Sequence, residues 1–107
     1  MNILAIDQGT SATKALLVGP GPQVLGAGEV PVRVRAVGQD GVEADPEELY
    51  QSVIGAGSLA LAQARAPAHA VALANQGETV LAWDRKTGRP PVLPHDGRGE
   101  RPACASA

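Results

Sequence analysis

Residues 2–18, NILAIDQGTSATKALLV, read as strand, tight polar turn and strand. Ile3, Leu4, Ala5 and Ile6 form a short apolar run that ends on Asp7, and Ala15, Leu16, Leu17 and Val18 resume one after the turn. Gln8-Gly9-Thr10-Ser11 is the turn: Gly9 permits a positive φ, and the hydroxyls of Thr10 and Ser11 can bond local backbone. A carboxylate at the end of a buried strand, followed at once by a Gly-Thr-Ser turn, suits metal and phosphate binding. Asp7 can hold Mg²⁺ through oxygen. Backbone N–H groups of the turn can form an anion nest, Thr10 and Ser11 add hydroxyl donors, and Lys14 can set a point charge beside a phosphate. A Walker P-loop is excluded, because no Gly-Lys-Ser/Thr follows and no helix opens at the turn. Without a ligand the same residues make an ordinary hairpin with a capped polar turn.

Outward from the hairpin, Gly19-Pro20-Gly21-Pro22 ends the second strand. Val24 to Val37 reads as one long third strand, in which Val30, Val32 and Val34 alternate with Pro31, Arg33 and Arg35. Pro31 inside that run predicts an edge strand or a bulge. Residues 38–44 read as a polar loop. Asp45-Pro46-Glu47-Glu48 is a helix start, with Asp45 as N-cap, Pro46 at the first helical position and Glu48 at capping-box spacing. The helix is expected from Pro46 to about Arg65. Its buried face is Leu49, Val53, Ala56, Ala60 and Ala64; Gly55 and Gly57 weaken it, and Pro67 bars its continuation. His69 to Asn75 reads as a central strand and Glu78 to Asp84 as another, with a turn at Lys86-Thr87-Gly88. His69 stands alone, with no Cys, His or acid pair at metal spacing. Residues 97–107 are expected to be loosely ordered.

The chain has 107 residues, enough for one domain. At this size only roughly 60–68% of the unfolded surface is buried. Apolar residues make up 44% of the chain, yet there is no Phe, one Trp and one Tyr, so Ala and Val carry the core. The formal net charge of −2 gives no basic field for nucleic acid or an anionic membrane. A single cysteine, Cys104, forms no internal disulfide and suits a reducing cytosol. The N-terminus carries no basic segment before its apolar run, so no signal peptide is expected, and no apolar stretch approaches the roughly 20 residues that span a bilayer. A cytoplasmic protein is expected.

A three-stranded antiparallel meander, a crossover helix and further strands is the element order of an α/β ribonuclease H-like, actin-like ATPase half-domain. The crossover is long enough for the fourth strand to pair parallel beside the first. The residues also resemble a family. Asp7-Gln8-Gly9-Thr10-Ser11 with Lys14 is similar to the phosphate-binding hairpin of the FGGY carbohydrate kinases, which include glycerol kinase, xylulokinase and gluconate kinase. Gly41-Val42-Glu43-Ala44-Asp45-Pro46 resembles the segment that opens that family's first helix. Ala74-Asn75-Gln76-Gly77-Glu78-Thr79 resembles its sugar-contacting turn, and Trp83-Asp84 with Thr87-Gly88-Arg89-Pro90 the next hairpin. The resemblance runs over residues 2 to about 96, with its motifs in the family's order.

The resemblance implies ATP- and Mg²⁺-dependent phosphorylation of a small-molecule sugar or polyol. Asp7 would serve the Mg²⁺, and Thr10, Ser11 and Lys14 would face the nucleotide phosphates. Gln76, Glu78 and Asp96 would line the polyol pocket. Two departures are expected to matter. Gly77 stands where glycerol kinases carry an arginine, which favours a longer polyol or a pentose over glycerol. Leu93-Pro94-His95-Asp96-Gly97-Arg98 lacks the family's tryptophan and carries a strand-breaking proline. Family members are several times longer than this chain, with the catalytic aspartate and the second, adenosine-binding domain past residue 107. The expectation is therefore an N-terminal fragment: residues 1–96 a partial kinase domain and 97–107 a tail, inactive alone. The fifth strand should be incomplete, and the sheet face left without its second helix open to self-association. The alternative is a non-catalytic nucleotide- or partner-binding module.

Overall fold

The computed structural model describes residues 1–39, 41–77, 79–89, 92–94, 100–102 and 104–106. β1 (Ile3–Gln8), β2 (Ala12–Gly19) and β3 (Gln23–Pro31) form the expected antiparallel meander. α1 (Pro46–Ala64) crosses over, and β6 (Ala70–Asn75) then lies parallel to β1, from Ile3 opposite Ala70 to Gln8 opposite Asn75. The sheet order is β3-β2-β1-β6. His69 N–H donates to the Asn2 carbonyl at 2.8 Å and Asn2 N–H to His69 Nδ1 at 2.9 Å, so the lone histidine aligns the start of the parallel pair.

The third segment is not one strand. β3 stops at Pro31, which has no N–H to continue a ladder. Val32 is buried and its N–H donates to the Ser11 carbonyl at 2.9 Å, while the Arg33 N–H goes to the Glu48 carboxylate at 3.1 Å. The chain then enters β4 (Val34–Val37), which pairs antiparallel with β5 (Gly41–Ala44) in a second sheet. The segment expected as a polar loop therefore contains a strand. Its alternation of Val42, Glu43 and Ala44 matches that of Val34, Arg35 and Ala36 across the ladder, and Arg35 pairs with Glu43. The expected strand over Glu78 to Asp84 is reduced to β7 (Thr79–Val80), with Leu81 to Asp84 outside any strand. Asp84 instead organises the turn that follows. Its carboxylate accepts from Thr87 N–H and Lys86 N–H, which hold it below the usual carboxylate range. β8 (Val92–Pro94) pairs with β9 (Glu100–Pro102), and β10 (Cys104–Ser106) lies between β5 and β7, so the segment expected as a loose tail contributes two short strands.

The helix starts where the sequence places it. Asp45 has extended backbone and its carboxylate accepts from Glu47 N–H at 2.9 Å, with Pro46 behind it. The capping box does not close, because Glu48 turns to Arg33 and takes both its N–H and its Nε. The Arg33 hydrogen bond holds the Glu48 carboxyl below its ordinary range. At the far end Arg65 adopts a left-handed conformation, φ 53°, and its N–H closes on the Leu61 carbonyl.

One face of the sheet carries the core. Leu4 and Ile6 from β1, Ala15 and Leu17 from β2, and Ala56 and Ala60 from α1 pack together. The helix sits over the β3 side of the sheet because Gly26 and Gly28 leave room for it. A Cβ on Gly28 would fall 2.3 Å from the Ala56 carbonyl oxygen, and one on Gly26 would fall 2.3 Å from that of Ala60. β6 lies at the opposite edge, not in the centre as its sequence suggested. Val71 and Leu73 face the helix side yet stay 64% and 62% exposed. On the other face Ile3 and Leu16 are exposed too.

The glycine notches give a direct test. Gly28→Ala forces α1 off the sheet, since the neighbour is backbone with no rotamer to yield. It is expected to lower stability by about 2–3 kcal/mol, read as a shift in the urea midpoint, whereas Gly21→Ala, in open space at φ +74°, strains only a surface turn.

Candidate functional site

The hairpin projects its polar residues from one end of the sheet. Side chains alternate along β1 and β2, so Leu4, Ile6, Thr13, Ala15 and Leu17 point to the helix, and Ala5, Asp7, Lys14 and Leu16 to the other face. Asp7 and Lys14 stand directly opposite each other across the ladder. They close one end of an apolar trough of about 450 Å³ whose walls include Ala5, Leu16, Ala72 and Ala74. Asp7, Thr10, Ser11 and Lys14 are all exposed.

Gly9 is required at the turn for space and not for handedness. The positive-φ glycines among the described residues are Gly21, Gly38 and Gly88. A Cβ on Gly9 would lie 2.8 Å from the Ala12 carbonyl oxygen, which accepts the Gly9 N–H at 2.9 Å. That N–H is committed inside the turn, so any anion nest is narrowed to the donors after it. The Gln8 amide folds over the turn and donates to the Gly9 carbonyl at 2.8 Å.

The parallel pairing of β1 and β6 brings the second motif to the same place. Asn75 is opposite Gln8, and Gln76 N–H donates to the Gln8 carbonyl at 3.1 Å. The residue that follows Asp7 is thus hydrogen-bonded to the residue that opens the expected sugar turn, at the carboxyl ends of two parallel strands, where α/β sheets bind ligands. A Cβ built on Gly77 meets nothing within 4 Å, so this glycine serves no packing need among the described residues. Of the expected site residues the structure gathers Asp7, Thr10, Ser11, Lys14 and Gln76 at one end of the sheet. Glu78 and Asp96 lie outside the described residues.

Among the described residues no group of three or more His, Cys, Asp or Glu could hold a metal. Asp7 supplies a single carboxylate, a donor set that fits Mg²⁺, which keeps most of its waters and takes further oxygens from phosphate. The sequence reading missed the hydroxyl pair behind the hairpin. Thr13 and Ser52, both almost fully buried, meet at 2.7 Å. Its signal was present, since Ser52 lies four residues before Ala56 on the buried face of α1 and Thr13 alternates with Ala15 and Leu17.

This α/β half-domain, with a polar hairpin meeting the end of a parallel strand, has the architecture of the actin-like ATPases. The chain belongs to the FGGY family of carbohydrate kinases, whose N-terminal domain matches residues 2–94. It is 37% identical over 91 residues to a glycerol kinase of Rhizobium meliloti, covering 82% of this chain and 18% of that protein. With a glycerol kinase of Methylobacterium nodulans the identity is 46% over 91 residues, covering 80% and 18%. The fold superposes on the xylulose kinase of Rhodospirillum rubrum with a TM-score of 0.76 at 15% identity, covering 99% of this chain and 20% of that one. For the Plasmodium falciparum glycerol kinase with ADP the TM-score is 0.69 at 24% identity, covering 83% and 19%. The chain therefore spans 18% of the length of the relatives it matches.

Gly9→Ala tests the turn. Its Cβ meets backbone, so the substitution is expected to cost about 1–2 kcal/mol. Amide exchange at residue 9 should become faster as the bond to the Ala12 carbonyl lengthens; unchanged protection there would show that the turn yields elsewhere.

Proposed function

We propose that the chain is the N-terminal portion of an ATP-dependent sugar or polyol kinase and carries its phosphate-facing hairpin and part of its sugar pocket. The observation that carries this reading is the Gln76 to Gln8 hydrogen bond, which joins the hairpin to the sugar turn at one end of the sheet. Phosphoryl transfer depends on positioning and charge neutralisation more than on covalent chemistry by the protein. Lys14 and the hydroxyls of Thr10 and Ser11 serve the phosphates, Asp7 holds Mg²⁺, and the metal when bound neutralises charge on the transferring group. Gln76 orients the sugar from the other side, with Glu78 accepting from vicinal hydroxyls and Asp96 completing the pocket. The catalytic base is assigned to a part of the parent enzyme outside these residues, so the purified chain should not phosphorylate any sugar.

The matched glycerol kinases favour glycerol as the substrate. Gly77 favours a longer polyol or a pentose, because open space stands where a cation would reach a small substrate. A panel of polyols and pentoses offered to the full-length parent decides between them, and glycerol as the best substrate would overturn the Gly77 reading. In that parent, Glu78→Ala should raise the sugar KM at least tenfold with the nucleotide KM nearly unchanged, whereas Asp7→Ala should lower kcat.

The setting is taken to be cytosolic, with neither nucleic acid nor membrane as partner. In isolation the exposed Val71, Leu73, Ile3 and Leu16 leave apolar surface on both sides of the sheet. The chain alone should self-associate, seen as a sedimentation coefficient that rises with concentration; a monomer with a sharp, concentration-independent thermal transition would contradict this.

A further inference from the structure

The sheet that carries the hairpin has two edge strands, β3 and β6. Hydrogen bonds at the ends of its ladders show which backbone groups each edge leaves open. Gly9 N–H donates to the Ala12 carbonyl, two residues beyond the Asp7 and Lys14 pair. The odd residues of β1 therefore bond to β2, and the even ones turn to β6. Gln76 N–H donates to the Gln8 carbonyl, so in β6 Ala70, Ala72 and Ala74 turn to β1. Val71, Leu73 and Asn75 thus present their N–H and C=O groups to the open side. The same alternation carried through β2 leaves Ala27 and Glu29 as outward residues of β3. The β3 edge is guarded. The Gln63 side chain accepts the Ala27 N–H at 2.6 Å, Glu29 adds an exposed charge, Pro31 has no N–H, and Leu25 is the extra residue of a bulge. β6 has none of these devices. Residues 66–77 contain no Asp, Glu, Lys or Arg, and Ala70–Asn75 contains no proline. Among the described residues no strand pairs with its outer side. Such an edge is a template for a further strand.

We propose that the open edge of β6 pairs antiparallel with the β6 of a second copy of this chain, which joins the two sheets into one. A second copy fits because the edge is self-complementary. A two-fold antiparallel pairing bonds outward residues to outward residues, so odd positions must oppose odd positions. Centred on Leu73, it sets Leu73 opposite the partner's Leu73 and Val71 opposite the partner's Asn75. Opposed residues of an antiparallel pair share a face, so the exposed Val71 and Leu73 of both copies meet on the helix side. Both α1 helices then lie on that one face. Each packs over β2 and β3, away from the seam, and leaves room for the partner. With no charge on residues 66–77, no like-charge repulsion opposes the contact. An edge of six residues is small against the roughly 800 Å² per partner of a standard interface, so the dimer is weak and depends on concentration. This contact gives a site to the self-association expected of the chain alone, and it stands whatever the hairpin binds.

The test uses the full 107-residue chain. As its concentration rises, sedimentation should approach that of a dimer. Amide exchange should slow at Val71, Leu73 and Asn75 and stay unchanged at Ala27 and Glu29. In a sample of mixed isotope labels, the Leu73 methyl groups should show nuclear Overhauser effects to the partner's Leu73 or the partner's Val71. Leu73→Pro removes an outward N–H but no ladder bond of the monomer, and it should hold the chain monomeric. If that variant does not fold, Leu73→Lys decides. It changes an exposed position, sets like charges across the seam and should raise the dimer dissociation constant roughly fivefold or more. Growth in mass with no slowing at the three amides would put the contact on a sheet face; self-association would stand and the β6 contact would fall. A chain that stays monomeric at every concentration would overturn both. Leu73→Lys associating as strongly as the unaltered chain would also overturn the β6 contact.

Discussion

The carbonyl oxygens of Ala56 and Ala60 occupy the space where Gly28 and Gly26 would carry a Cβ. A chain with no Phe and a single Trp cannot gather buried area from large rings. It gains cohesion by close approach, with backbone set against backbone, and the small residues at the contact lose little side-chain entropy on packing. The arrangement places α1 on the β3 side of the sheet. It leaves β6 uncovered, so Val71 and Leu73 remain exposed although their neighbours in register, Leu4 and Ile6, are buried.

The crossover that α1 provides has the larger consequence for function. It returns the chain beside β1 in parallel, and parallel strands end together. The polar hairpin leaving β1 and the Gln76 turn leaving β6 are far apart in sequence but are joined by a backbone hydrogen bond. The adjacency is what the proposed function draws on, and a meander without the crossover could not supply it.

With 18% of the length of its glycerol kinase relatives, the chain has the hairpin and the first crossover, and its sheet faces remain partly bare. The exposed trough beside Asp7 and Lys14 has apolar walls and a polar end. Apolar surface rimmed by polar groups is the kind of surface that further protein or a ligand covers.

The elements with strong local signals were legible from the residues alone. The Asp7 to Ser11 turn between apolar runs, the Asp45-Pro46 helix start and the parallel fourth strand were legible because turn residues, caps and crossover length act over a few residues. The family was legible too, from motifs in order. The rest follows from contacts that form on folding. Pro31 ended β3 because its missing N–H coincides with Val32 being claimed by Ser11 and Arg33 by Glu48, partners remote in sequence. Glu48 left the capping box for the same reason. Gly9 proved to be a matter of space, since the Ala12 oxygen that crowds it is placed by the folded turn. The position of β6 at an edge of its sheet and the meeting of Thr13 with Ser52 depend on contacts between residues remote in sequence. No local pattern encodes such contacts, because each is made only once the layers are packed.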